Sequence, residues 1–257
     1  MLTVAGLTVA VPTPNGPANV VRGVDLEVRA GEVFGVAGES GSGKTMTFLA
    51  LLGLLPAGSR VTGEAVFDGR DLLALSPAER RRVRGRDIAM VFQDPMTSLH
   101  PMLTVGAQLT DHVRAHLAMG RREAREHAAA LLADVRIPDP HGALRSYPHQ
   151  FSGGMRQRIA IAVALACRPK LIIADEPTTA LDVTVQAGLL RLLDELRLQQ
   201  GLTIVLITHD LGVMSALAQR VSVFHEGRIV ETGTRQQVLC EPRHPYTAGL
   251  LAALPPA

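Results

Sequence analysis

The chain has 257 residues, 26 of them basic and 24 acidic, for a formal net charge of +2. That length suits one or two domains with a core that folds without staples. Apolar residues make up 47% and charged residues 19%, which excludes a disordered or strongly charged tail protein. Two cysteines, Cys167 and Cys240, cannot build a disulfide framework and point to a reducing compartment. No apolar stretch approaches the ~18–20 residues of a membrane span. The opening MLTVAGLTVA has neither a basic n-region nor a cleavage signal and reads as mature protein. Tryptophan is absent and aromatics are few, which argues against a stacking surface for nucleic acid. The expectation is a soluble, cytoplasmic α/β protein.

In chain order, Val24, Leu26 and Val28 alternate with Asp25 and Glu27, the pattern of a half-buried strand. Val33–Ala37 is a short continuous apolar run, expected as a strand buried on both faces. A glycine-rich stretch follows, then an apolar helix from about Thr45 to Leu55. Val61–Phe67 alternates again and closes at Asp68-Gly69, a hairpin turn signal. Ser76-Pro77-Ala78-Glu79 forms a capping box with proline at the first helical position. Ile88–Phe92 reads as a further buried strand, ending at Gln93. From about Asp94 to Ala166 no strand is expected; Ala107–Met119, Arg122–Val135 and Gly153–Cys167 read as helices. Strand signals resume at Leu171–Ala174, Thr203–Ile207, Val221–Phe224 and Arg228–Val230. A helix over about Val183–Gln200 stops at Gly201, a natural C′ residue. A short helix and a proline-rich end follow Gly233.

Three motifs carry chemistry. Gly38-Glu39-Ser40-Gly41-Ser42-Gly43-Lys44-Thr45 fits G-x-x-x-x-G-K-[ST], with a buried strand before it and a helix after it. Glycines let backbone N–H groups curl around phosphate oxygens, and the helix N-terminus adds partial positive charge. Lys44 suits the β- and γ-phosphates, and the Thr45 hydroxyl suits Mg2+. In Leu171-Ile172-Ile173-Ala174-Asp175-Glu176, an apolar strand delivers two carboxylates at its C-terminal end, where ligands bind in open α/β sheets. Asp175 is assigned to the metal and Glu176 to the general base. In Tyr147–Arg158, Ser152 is a good N-cap and Gly153-Gly154 permits close approach to an anion. This second positive helix end lies far from the first in sequence. Both could serve one nucleotide only if a second subunit completes the site.

Taken together, the chain resembles the nucleotide-binding subunit of an ABC transporter, over nearly its whole length. GESGSGKT resembles Walker A, Gln93 the Q-loop and Phe151–Gln157 a variant of the LSGGQ signature. LIIADE resembles Walker B, Ala180-Leu181-Asp182 the D-loop and His209 the switch histidine. The resemblance implies a P-loop NTPase with a RecA-like α/β core, an N-terminal antiparallel β portion and an inserted α-helical subdomain. It places the core over residues 1–94 and 167–232, the helical subdomain over 95–166 and a C-terminal extension over 233–257. Two such subunits would sandwich two ATP molecules, each held by Gly38, Ser40, Gly41, Ser42, Gly43, Lys44 and Thr45 of one subunit and Ser152, Gly153 and Gly154 of the other. Asp182 would be a further nucleotide-binding residue. Thr45, Gln93 and Asp175 would hold Mg2+, with Gln93 also sensing the lytic water. Glu176 would polarise that water and His209 would contact the γ-phosphate.

Phe92–Pro101 and the ending His244-Pro245-Tyr246-Thr247 resemble the di-/oligopeptide and nickel importer branch. There a second, non-identical ATPase subunit, two transmembrane permeases and an extracytoplasmic substrate-binding protein are the implied partners, at the cytoplasmic face of the inner membrane. Peptide, nickel or another metal chelate, and other cargo all stay open, as does a soluble ATPase acting on nucleic acid or ribosomes; an exporter is a further alternative. Nucleic acid is not expected as a partner. The arginine runs at Arg80–Arg84 and Arg121-Arg122 read first as solvated surface. One departure stands out: many family members carry an aromatic before the P-loop to stack on adenine, and here Val11 is aliphatic. Base stacking on an aromatic contributes roughly 1–3 kcal/mol, so weaker or less purine-selective binding is expected. Two cysteines cannot by themselves supply the four ligands of an iron–sulfur cluster.

Overall fold

The computed structural model describes residues 1–94, 98–179 and 181–253. Pro95, Met96 and Thr97 of the Phe92–Pro101 stretch, Ala180 of the D-loop-like stretch and residues 254–257 lie outside the described residues. The chain divides into two compact units, Met1–Arg81 with Thr203–Ala257, and Arg82–Leu202.

The first unit holds an antiparallel sheet. Its strands β1 (Leu2–Thr13), β2 (Gly16–Val28), β4 (Arg60–Phe67) and β5 (Arg70–Asp71) run in the order β2-β1-β4-β5. The expected alternation in β2 is present, with Val24, Leu26 and Val28 all buried. Strand β1 escapes the sequence pattern because its period breaks. The pairing with β2 shifts register between Val4 and Leu7, around Gly6 at φ 57°, so residues three apart both face inward. Such a bulge inserts an extra residue on one strand. Between β4 and β5, Asp68 and Gly69 both take positive φ, 48° and 79°, as a two-residue primed hairpin turn requires.

The same unit contains a mixed layer. The strand β3 (Val33–Ala37) runs parallel to β8 (Thr203–Ile207) on one side and to β9 (Arg220–His225) on the other. Antiparallel β10 (Arg228–Thr234) follows β9. Both β3 and β8 are buried along their whole length, which is why they read as continuous apolar runs. Arg220 ties β9 to the start of β3, pairing with Glu32 at 3.1 Å and lying over the Phe34 ring, 5.4 Å from its centroid. The helix after β3 spans Lys44–Leu52, ending earlier than expected. Gly53 takes a left-handed φ of 61° and returns its N–H to Ala50; a Cβ there would lie 2.4 Å from the Arg80 side chain.

In the second unit, β6 (Ile88–Val91) and β7 (Leu171–Asp175) are parallel, with Ile88 opposite Leu171 and Val91 opposite Ala174. Helices follow at Val105–His116, Arg121–Asp134, Pro140–Ala143, Gly153–Leu165 and Val183–Gln200. Side chains cap four of the starts: Thr104 accepts from Ala107 N–H, Asp139 from Gly142 N–H, Ser152 from Met155 N–H and Asp182 from Val185 N–H. Each such cap contributes about 1 kcal/mol. The last helix keeps Leu189, Leu190, Leu192, Leu193 and Leu196 buried and stops at Gly201, φ 64°, as its sequence dictates. Joining the units, Pro77–Val83 opens on the expected capping box, Ser76 N–H donating to Glu79 at 2.9 Å and Glu79 N–H to Ser76 at 3.3 Å. Among the described residues no helix is long and apolar enough to cross a membrane.

Candidate functional site

In the first unit the loop between β3 and the helix Lys44–Leu52 is built for close backbone contact. Gly38 sits at φ 140°, where a Cβ would lie 2.3 Å from the Phe224 carbonyl oxygen. Gly43 sits at φ 101°, where a Cβ would lie 2.5 Å from the Val20 carbonyl oxygen. Neither position admits a side chain. Gly41, at φ 78°, faces open space. The loop is also pinned from below, Gly227 N–H donating to Ser42 O at 3.0 Å. Ser40 is exposed and Ser42 is buried.

Lys44 is only 5% exposed. Its Nζ donates to the carbonyls of Gly38 and Glu39, both at 2.7 Å, and to Ser42 Oγ at 3.4 Å. The loop thus wraps its own cation, holding it where a phosphate can exchange for the carbonyls. Gly43 supplies no side-chain cap to the helix, and the first turn carries no acid. The helix start therefore carries no competing carboxylate, and its partial positive charge suits an anion. Thr45 is half-buried at the second helical position. The loop fits a triphosphate in its glycine spacing, its cation and its helix end.

His209 belongs to the same unit. Because β8 runs parallel to β3, with Ile207 opposite Val36, the loop and His209 leave the sheet along one edge. Thr208 N–H donates to Val36 O at 3.2 Å. Asp210 then caps the helix Leu211–Leu217, accepting from Gly212 and Val213, and His209 stands exposed between them.

The second unit brings Gln93 and Glu176 together. Gln93 Nε2 donates to Glu176 Oε2 at 2.8 Å, and Thr179 Oγ1 donates to the same oxygen at 3.0 Å. Glu176 holds a positive φ of 46°, a costly conformation for a non-glycine residue. Asp175 ends β7 at 5% exposure. Within this unit Gln93 and Asp175 carry amide and carboxylate oxygens, donor types that suit a hard cation such as Mg2+.

Ser152 and Asp182 also share the second unit. Ser152 caps its helix and Gly153 faces open space. Gly154 has a different reason to be glycine. A Cβ there would lie 2.7 Å from Val185 Cγ1, and Val185 N–H is the group that Asp182 caps at 3.0 Å. The starts of the helices Gly153–Leu165 and Val183–Gln200 are therefore in contact. Sequence reasoning missed three contributors: Thr179, the backbone of Phe224 and Gly227 under the loop, and Tyr246, whose hydroxyl accepts the Glu39 N–H at 3.3 Å. Thr179 left a signal, a hydroxyl three residues after the proposed base. Val11 is half-buried in β1, opposite Ala18.

Comparison with known proteins identifies the family. The ABC transporter family matches residues 21–179. The dipeptide transport ATP-binding protein DppD of Bacillus subtilis is 49% identical over 99% of this chain and 77% of its own length. The oligopeptide transport ATP-binding protein OppD of Salmonella typhimurium is 48% identical over 99% of this chain and 76% of its own. Among solved structures, a dimeric post-hydrolysis state of the ATP-binding cassette MJ0796 bound to ADP and Pi is similar with a TM-score of 0.81. It is 28% identical, over 91% of this chain and 99% of that one.

Proposed function

The chain belongs to the ABC transporter family and has the fold of its nucleotide-binding domain, and we propose that it hydrolyses ATP to drive uptake of di- or oligopeptides. The observation that carries the ATPase reading is the buried Lys44, held by the carbonyls of its own glycine loop. The peptide cargo rests on similarity to dipeptide and oligopeptide transport ATP-binding proteins over almost the whole chain.

In this reading Gly38, Ser40, Gly41, Ser42 and Gly43 wrap the triphosphate, and Lys44 trades carbonyl oxygens for phosphate oxygens. Thr45, Gln93 and Asp175 would hold Mg2+, which would supply charge neutralisation at the phosphates. Glu176 accepts the proton of the attacking water, its carboxylate oriented by Gln93 and Thr179. His209 contacts the γ-phosphate. Ser152, Gly153 and Gly154 serve the nucleotide of a second, non-identical ATPase subunit, and Asp182 is a further nucleotide-binding residue. Two membrane permeases and an extracytoplasmic binding protein complete the machine, with this chain peripheral on the cytoplasmic face of the inner membrane. Nucleic acid has no part in it.

A positioned general base contributes about 10²–10⁴-fold in rate. Glu176→Gln is therefore expected to keep ATP binding and lose most turnover in the assembled transporter; wild-type turnover would refute the assignment. The cargo is tested by uptake in a strain lacking this chain. Loss of labelled dipeptide uptake supports the reading, and loss of nickel uptake with peptide uptake intact would transfer it to metal transport.

A further inference from the structure

The ending His244–Thr247 has no role in the chemistry above, yet the first unit ties it to the phosphate loop. Glu231, on β10, accepts the backbone N–H groups of Arg243 at 2.8 Å and His244 at 3.1 Å. His244 Nδ1 then accepts from Tyr246 N–H at 3.2 Å, capping the helix Pro245–Ala252. Pro245 occupies its first position, where a missing N–H costs nothing. Tyr246 lays its ring against His225, with centroids 3.8 Å apart and planes at 31°. Its hydroxyl accepts the Glu39 N–H at 3.3 Å.

Glu39 is the second residue of the phosphate loop, and its carbonyl holds Lys44 Nζ at 2.7 Å. Both backbone polar groups of Glu39 are thus engaged, the N–H by Tyr246 and the carbonyl by Lys44 Nζ and by Ser42 N–H at 3.2 Å. When Lys44 turns to a phosphate, the Tyr246 hydroxyl still holds the N–H side of Glu39 and the Ser42 N–H its carbonyl side. Burial pushes the Tyr246 phenol above its ordinary pKa; the Glu39 N–H pulls the other way, and the Glu39 carboxylate adds to the rise.

We infer that Tyr246 is a positioning residue for nucleotide binding, a brace through which the C-terminal helix holds the phosphate loop in its binding geometry. The inference rests on the nucleotide reading above. Its test is Tyr246→Phe in the full chain, which deletes the hydroxyl and keeps the ring on His225. Two readouts are taken: Mg·ADP affinity, and the amide resonance of Glu39 by 1H–15N NMR. One neutral hydrogen bond corresponds to about a 2- to 10-fold change in an equilibrium constant. The expected result is an ADP Kd raised by that factor, an upfield shift of the Glu39 amide proton and a Tm lowered by no more than a few degrees. An unmoved Glu39 resonance, or a Kd that changes only in step with Tm, would overturn the inference. A wild-type chain that binds no ADP would instead defeat the nucleotide reading, and the Glu39 resonance would still decide whether the brace exists.

Discussion

Gln93 and Glu176 are hydrogen-bonded at 2.8 Å although 83 positions separate them. Strand register explains the contact. Because β6 and β7 are parallel and Val91 lies opposite Ala174, the residues that follow each strand emerge side by side. The base then receives a second donor from Thr179, close in sequence and brought round by the turn in which Thr179 N–H donates to the Glu176 carbonyl at 3.2 Å. One carboxylate oxygen thus takes two hydrogen bonds, which fixes where the other points.

Removing the Thr179 hydroxyl is expected to loosen that aim. Thr179→Val deletes one hydrogen bond to a charged acceptor, a loss of about 1.5–3 kcal/mol at most. A fall in kcat of roughly 10-fold is expected, with ATP affinity unchanged and Thr179→Ser close to wild type. Steady-state ATPase assays on the assembled transporter check this. A loss of ATP affinity with kcat intact would mean that Thr179 serves the loop fold rather than the base.

At Gly154 the expected effect is on packing. A methyl group there would strike Val185 at 2.7 Å, and overpacking of this kind costs about 1–3 kcal/mol. Gly154→Ala is expected to lower Tm by several degrees, and adding Val185→Ala is expected to restore most of it. Thermal unfolding of the two single variants and the double variant reads out the coupling. Additive losses would show that the two helix starts do not press on each other at this point.

The two cysteines are expected to separate by reactivity. Cys240 is exposed and Cys167 is buried. Burial pushes the Cys167 thiol up to about 11, against a weaker downward pull from Arg86. Since the thiolate is the nucleophile, iodoacetamide at pH 8 should modify Cys240 in the folded chain and Cys167 only after unfolding, as read by mass spectrometry. The linkage follows in sign: the folded pKa is raised from 9.0 to about 11. The stability that the neutral thiol contributes is therefore complete below pH 9 and is lost as pH climbs through about 11. Rapid modification of Cys167 in the native chain would contradict its burial.

The phosphate loop, the Asp175-Glu176 pair and the helix Val183–Gln200 were legible because their signals are local. A glycine spacing, an apolar run ending in two acids and a capped leucine-rich segment each lie within one short window. Strand β1 was not legible, since the bulge around Gly6 breaks the two-residue period on which strand reading depends. The Tyr246–Glu39 contact spans 207 positions, and no local pattern encodes which helix comes to rest on which loop. Gly154 was legible as a glycine but not for its packing reason, which requires knowing that Val185 lies across from it. Local chemistry is written in the sequence, and the pairing of distant segments is written only in the fold.

The central claim is that Lys44, now shared among carbonyls, is the cation that receives a nucleotide's phosphates. The most direct measurement is equilibrium binding of ATP in the presence of Mg2+, comparing the Glu176→Gln chain with Glu176→Gln carrying Lys44→Ala. A charge-assisted contact contributes about 1.5–3 kcal/mol, so the account predicts saturable binding weakened by at least about 10-fold when Lys44 is lost. Equal affinity in the two chains would contradict it.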